Sequence, residues 1–145
     1  MILHILNGDC ALNSWKECSF TGEAIVWREN YLIGAVPEFD NSEKFFQLRA
    51  EELHKTAPNK TVNDNFEELQ FMHKKLFSLR SSDTLVLWLD YCPFDQALKK
   101  QLLKLIRTLP EKPELFLVQQ DVVWNKDAFE KHRDFQDRAL DFISF

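Results

Sequence analysis

TLVLWLDYCPFDQ, residues 84–96, is the stretch whose reading decides the fold. Thr84 to Leu89 is a nearly unbroken apolar run rather than an alternation of apolar and polar residues. A strand with one wet face alternates. A strand covered on both faces does not need to, and such strands belong to parallel sheets. The run stops at Asp90. Pro93 then suits the first turn of a helix, where its missing N–H is no loss.

Three more runs share this character: Ile2 to Leu6, Ala24 to Trp27 and Leu115 to Val118. Helical spacing fills the gaps. Leu98, Leu102, Leu105, Ile106 and Leu109 form one stripe between Phe94 and Leu109, closed by Pro110. A second helix is predicted from Glu43 to Lys55, burying Phe45, Phe46, Leu48 and Leu53. A third follows Asp64 and Glu67, which have capping-box spacing, and carries Leu69, Met72, Leu76 and Leu79. Cys10 to Cys18 gives a weaker helical signal. Phe129, His132, Phe135, Ala139, Phe142 and Ile143 make a last stripe, and the apolar tail Phe142 to Phe145 is expected to dock on the chain's own sheet.

The predicted order is strand, short helix, strand, two helices, strand, helix, strand, helix. That is an α/β fold: a three-layer sandwich, with a mostly parallel sheet of about four strands and helices on both faces. If the first and third strands are neighbours, the topology switches between them and a crevice opens at their C-terminal ends.

Bulk properties agree with one globular domain. The chain has 145 residues, 45% hydrophobic and 28% charged. Thirteen Phe against three Gly predict a bulky core or a buried contact with a second copy. A net charge of −5 argues against nucleic acid, which needs clustered positive charge. Lys99, Lys100, Lys104 and Arg107 do cluster, and are read as the solvated face of a helix. Three cysteines without a CxxC pair argue against a disulfide framework or a structural zinc site, and point to a reducing cytoplasm. No apolar run approaches the roughly 20 residues that span a bilayer, and the N-terminal run lacks the basic flank of a signal peptide.

The first run ends on Asn7-Gly8-Asp9. At the mouth of a strand, Gly8 would allow a positive φ or a close backbone approach, and the free amides of the next helix could face an anion. The alternative is a plain strand-to-helix turn with Asp9 as N-cap.

Read together, His4-Ile5-Leu6-Asn7-Gly8-Asp9, Val26-Trp27-Arg28-Glu29 with Gly34, Leu48-Arg49-Ala50, and Leu87-Trp88-Leu89-Asp90 leading to Phe94-Asp95-Gln96 resemble a bacterial family, domain of unknown function 1835. The resemblance spans residues 2 to about 106. It implies a fold and site candidates, but no reaction. Glu29 replaces the family's usual Asp, and Ala35 its usual Pro. Tyr91 and Cys92 stand where the family has His and Asp, so any chemistry resting on that His is absent here. Longer relatives carry a further C-terminal domain, for which this chain is too short.

The candidate site residues are Asn7, Gly8, Asp9, Arg28, Glu29, Asp90, Asp95 and Gln96. Asp9, Asp90 and Asp95 could hold Mg²⁺, or one of them could be kept protonated as an acid; otherwise they are turn and helix-start charges. Arg28 could pair with Asp9 or Glu29, or clamp a phosphate or carboxylate. Gln96 suits a ligand or a helix cap equally. Arg49 is read first as a salt bridge. Cys92, at a helix start, has a stabilised thiolate but no visible base. His4 is expected to be a hydrogen-bonded core residue, and His54, His73 and His132 show no ligand spacing. Trp27 and Trp88 should fill the core, while Trp15 and Trp124 would line the crevice or a dimer contact.

Two functions of different class remain. One is an enzyme or binding domain for a small anionic metabolite or nucleotide, with hydrolysis or group transfer as the reaction class; no cofactor is specified. In that reading Asp9→Asn abolishes binding. The other is a non-catalytic interaction or regulatory module, pairing with itself or another protein.

Overall fold

The structure is a computed structural model that describes residues 1–135. Its elements run β1 (Ile2–Leu6), α1 (Asp9–Glu17), β2 (Glu23–Val26), α2 (Glu43–Thr56), α3 (Val62–Phe77), β3 (Thr84–Asp90), α4 (Pro93–Arg107), β4 (Glu114–Gln120) and α5 (Lys126–Lys131). The strands form one sheet, ordered β2-β1-β3-β4, and all three pairings are parallel. β1 and β3 are neighbours in register Leu3↔Leu85 to Leu6↔Trp88. Successive strands therefore lie on opposite sides of β1, and the topology switches between β1 and β3 as expected.

Side chains alternate across each strand, so continuous apolar runs feed two cores. Leu3, Ile5, Trp27, Leu85, Leu87 and Leu117 pack under α2, α3 and α4. Leu6, Val86, Trp88, Phe116 and Val118 pack under α1 and α5. These are the three layers. The aromatic residues fill both. His4, Trp15, Phe20, Trp88, Trp124 and Phe129 touch on the second face. Phe39, Phe45 and Phe46 surround His73 on the first. No described helix is long and apolar enough to cross a membrane.

Several expectations need correction. β2 begins at Glu23, and Trp27 lies beyond it; the Trp27 N–H still donates to Leu6 O at 3.0 Å, but Glu29 N turns back onto Trp27 O and ends the ladder. The cap of α3 is Thr61, three residues before the expected Asp64, because Thr61 Oγ1 accepts from Asp64 N at 3.0 Å. Asp64 is then a first-turn carboxylate. Trp15 and Trp124 line neither crevice nor dimer contact; both are buried in the second core, where Trp124 donates to Leu89 O. Residues 136–145, which include Ala139, Phe142, Ile143 and the apolar tail, lie outside the described residues.

One glycine is fixed by close approach. Gly22 has φ +110°, and a Cβ there would lie 2.3 Å from Ile2 O. It lets the turn after α1 enter β2 directly beside β1.

Candidate functional site

The parallel sheet sends the C-terminal ends of β1, β2 and β3 to one edge. Asn7, Gly8 and Asp9 leave β1 there. Arg28, Glu29 and Asn30 follow β2. With Phe94 from α4, with Leu53, Thr56 and Ala57 from the end of α2, and with Lys60 and Asn65, they line an open groove of about 320 Å³. Larger grooves of about 750 and 490 Å³ lie elsewhere, and none of the predicted site residues lines them.

Gly8 is the N-cap of α1, with φ −176° and open space around its Cα. The expected positive φ or close approach is absent: the backbone there is extended and any residue could adopt it. Asp9 does not cap. It is the first helical residue, and among the described residues no side chain caps the amides of α1's first turn. The other described helices are capped by the side chains of Ser42, Thr61, Cys92 and Asn125. α1 thus presents unfilled donors and the positive end of its dipole at the groove.

Asp9 instead meets Arg28. The guanidinium donates from Nη1 to Oδ2 at 3.0 Å and from Nη2 to Oδ1 at 2.6 Å. That bidentate contact holds the Asp9 carboxyl below its usual range, and the positive charge of Lys60 adds to the effect. The pair is open to water, with the Asp9 side chain 66% exposed. Lys60 is ion-paired with Glu68. Asp9, Arg28 and Lys60 thus line the groove, and Glu68 holds Lys60 from outside it.

Glu29 went the other way. It is buried against Arg49, which donates to Oε2 at 3.0 Å and Oε1 at 2.6 Å, while Asn30 N also donates to Oε1. Of the two partners weighed for Arg28, Asp9 is the one found.

Asp95 is fully buried beneath the groove's rim. Its Oδ2 accepts from Asn7 Nδ2 at 2.8 Å and from Asp90 N at 2.6 Å, tying α4 to both β1 and β3. Burial, aided by the nearby Asp90 carboxylate, raises its carboxyl pKa, and those two donors oppose the rise. Asp90 Oδ1 accepts from Cys92 N, and Gln96 Nε2 donates to Asp90 O. Cys92 caps α4 by accepting from Asp95 N at 3.4 Å. Burial raises the thiol pKa, reinforced by a hydrogen bond to Asp90, so this helix start does not yield a ready thiolate.

The predicted residues thus fall into two groups. Asn7, Gly8, Asp9 and Arg28 line the groove. Asp90, Asp95 and Gln96 form a bonded cluster at the start of α4, with Asn7 touching both. The three carboxylates do not converge, because Asp9 is occupied by Arg28. Sequence reading missed Lys60 and Asn65: the first lies in a short α2–α3 connection and the second is one polar residue within a helix, so neither carries a local signal. His4 is the satisfied core residue expected, between Thr21 O and the Trp88 indole N–H. Comparison with known protein families, with curated proteins and with solved structures finds no match for the chain.

Proposed function

We propose that the chain binds a small anionic ligand, a phosphate-bearing metabolite or nucleotide, in the groove beyond β1 and β2. The observation that carries this reading is the Arg28 fork set beside the uncapped first turn of α1. Both features favour a doubly acceptor-rich anion. An exposed ion pair is worth no more than about 1 kcal/mol, so exchanging the Asp9 carboxylate for a phosphate costs little. Lys60 supplies a second positive charge at the same mouth. Membership of domain of unknown function 1835 belongs to the same proposal and rests on the motif order alone.

Asp9 then acts as a competitor for Arg28, not as a ligand contact. This reverses the sign expected of Asp9→Asn. A thermal-shift screen over nucleotides, sugar phosphates and divalent ions tests the reading. At least one phosphate compound should raise the Tm, Arg28→Ala should remove that rise, and Asp9→Asn should enlarge it. A rise untouched by Arg28→Ala contradicts the proposal.

A second reading, an interaction module, is favoured by one observation. Tyr91, Val122 and Val123 are 54, 61 and 71% exposed just beyond the paired ends of β3 and β4. Such apolar exposure marks contact surfaces. Light scattering on the wild type and on a Tyr91→Ser, Val123→Ser variant distinguishes it: a homodimer lost in the variant supports the module, and a monomer in both removes the self-pairing form.

A further inference from the structure

Asp90, Cys92 and Asp95 each offer a donor atom, and the three atoms lie within 4.8 Å of one another at the end of β3 and the start of α4. We infer that this group is a binding site for a thiophilic divalent cation, Zn²⁺ in the first instance. A second observation points the same way. Asp95 is fully buried, and its Oδ1 finds no hydrogen-bond partner among the described residues. Its Oδ2 is held by Asn7 and the Asp90 amide, so Oδ1 is the oxygen left open. A buried carboxylate oxygen without a donor is costly unless a cation or proton meets it.

The donor set selects the metal. Two carboxylate oxygens and one sulfur suit a borderline ion. Mg²⁺, with its preference for six oxygens, fits poorly. Bonds of about 2.0–2.3 Å put neighbouring donors about 3.5 Å apart, so the group needs only side-chain adjustment to close. Cys92 is exposed and Asp90 partly so, which leaves the outer side of the ion to water. Three protein donors with one open position is the pattern of a reactive zinc rather than a structural one. Binding releases the Cys92 thiol proton to the buffer. Asn7 donates to Asp95 and also lines the groove, so the ion would sit beside it; the inference nevertheless stands apart from the anion reading.

The probe is Co²⁺ alone, added to the full chain. Thiolate-ligated Co²⁺ absorbs through sulfur-to-metal charge transfer. The band should saturate at one equivalent, be bleached by Zn²⁺, persist in Cys10→Ser and vanish in Cys92→Ser. Asp90→Asn should weaken binding at least tenfold, with an unchanged circular dichroism spectrum. No band in the wild type, a band that survives Cys92→Ser, or unchanged affinity in Asp90→Asn overturns the site.

Discussion

Arg49 uses its whole guanidinium inside the protein. Besides Glu29, it donates to the carbonyls of Asn30, Ile33 and Ala35 at 2.8–2.9 Å, and its side chain has no exposure. All five N–H groups have acceptors, an arrangement Lys cannot reproduce. One side chain thus fastens the segment after β2 that forms a wall of the groove. Arg49→Ala leaves Glu29 as a buried, unpaired charge and should lower unfolding free energy by about 3–5 kcal/mol, read by urea denaturation. A loss below 1 kcal/mol contradicts the role given to the pair. The sequence showed that Arg49, on a helix busy with core residues, pairs with something. It could not show with what, because the partner lies 20 residues earlier on another element. The same limit applies to Asp9: its proximity to Arg28 follows from strand pairing, not from spacing along the chain.

Helix starts show what local chemistry can and cannot specify. Ser42, Thr61 and Asn125 are ordinary caps; at α3, however, two candidates compete, Thr61 and Asp64. The hydroxyl of Thr61 takes the cap, and Asp64 serves by charge alone. Thr61→Ala should therefore cost about 1 kcal/mol, and Asp64→Ala only a few tenths, in thermal or urea unfolding. The reverse ranking restores the capping box at Asp64 and Glu67. The four strands were legible because apolar continuity is a strong signal for buried parallel strands; β1 keeps its expected ends, while ends of β2, β3 and β4 shifted by one or two residues because hydrogen bonding, not hydrophobicity, decides where a ladder stops.

At the scale of the whole molecule, His4 and His73 are buried on opposite faces of the sheet. His4 donates from Nε2 to Thr21 O, so its Nδ1 is the acceptor for Trp88 and the ring is neutral. His73 donates from Nδ1 to Leu69 O in the opposite core. Burial pushes both pKa values down to about 4. The unfolded chain takes up these protons near the ordinary 6.5 of histidine. Between those limits it binds more protons than the folded chain, so stability is full above the upper limit and falls as pH drops toward the lower one. Each histidine contributes about 1.4 kcal/mol per pH unit in that window. The raised carboxyl of Asp95 has the opposite sign and offsets part of this at the acid end. Urea midpoints at pH 7, 6 and 5 should decline steadily; a flat profile contradicts two buried neutral rings.

The alternation of parallel strands and helices was legible in the sequence, and the adjacency of β1 and β3 entered as a condition; the order β2-β1-β3-β4, and which charges meet at its edge, came from the structure. The decisive test lies at that edge: ¹⁵N spectra of the full chain titrated with inorganic phosphate. Phosphate in the groove should shift the amides of Asp9, Cys10 and Ala11 and the Arg28 side chain. Shifts confined to Lys99, Lys100, Lys104 and Arg107 on α4, or none at all, would contradict binding there.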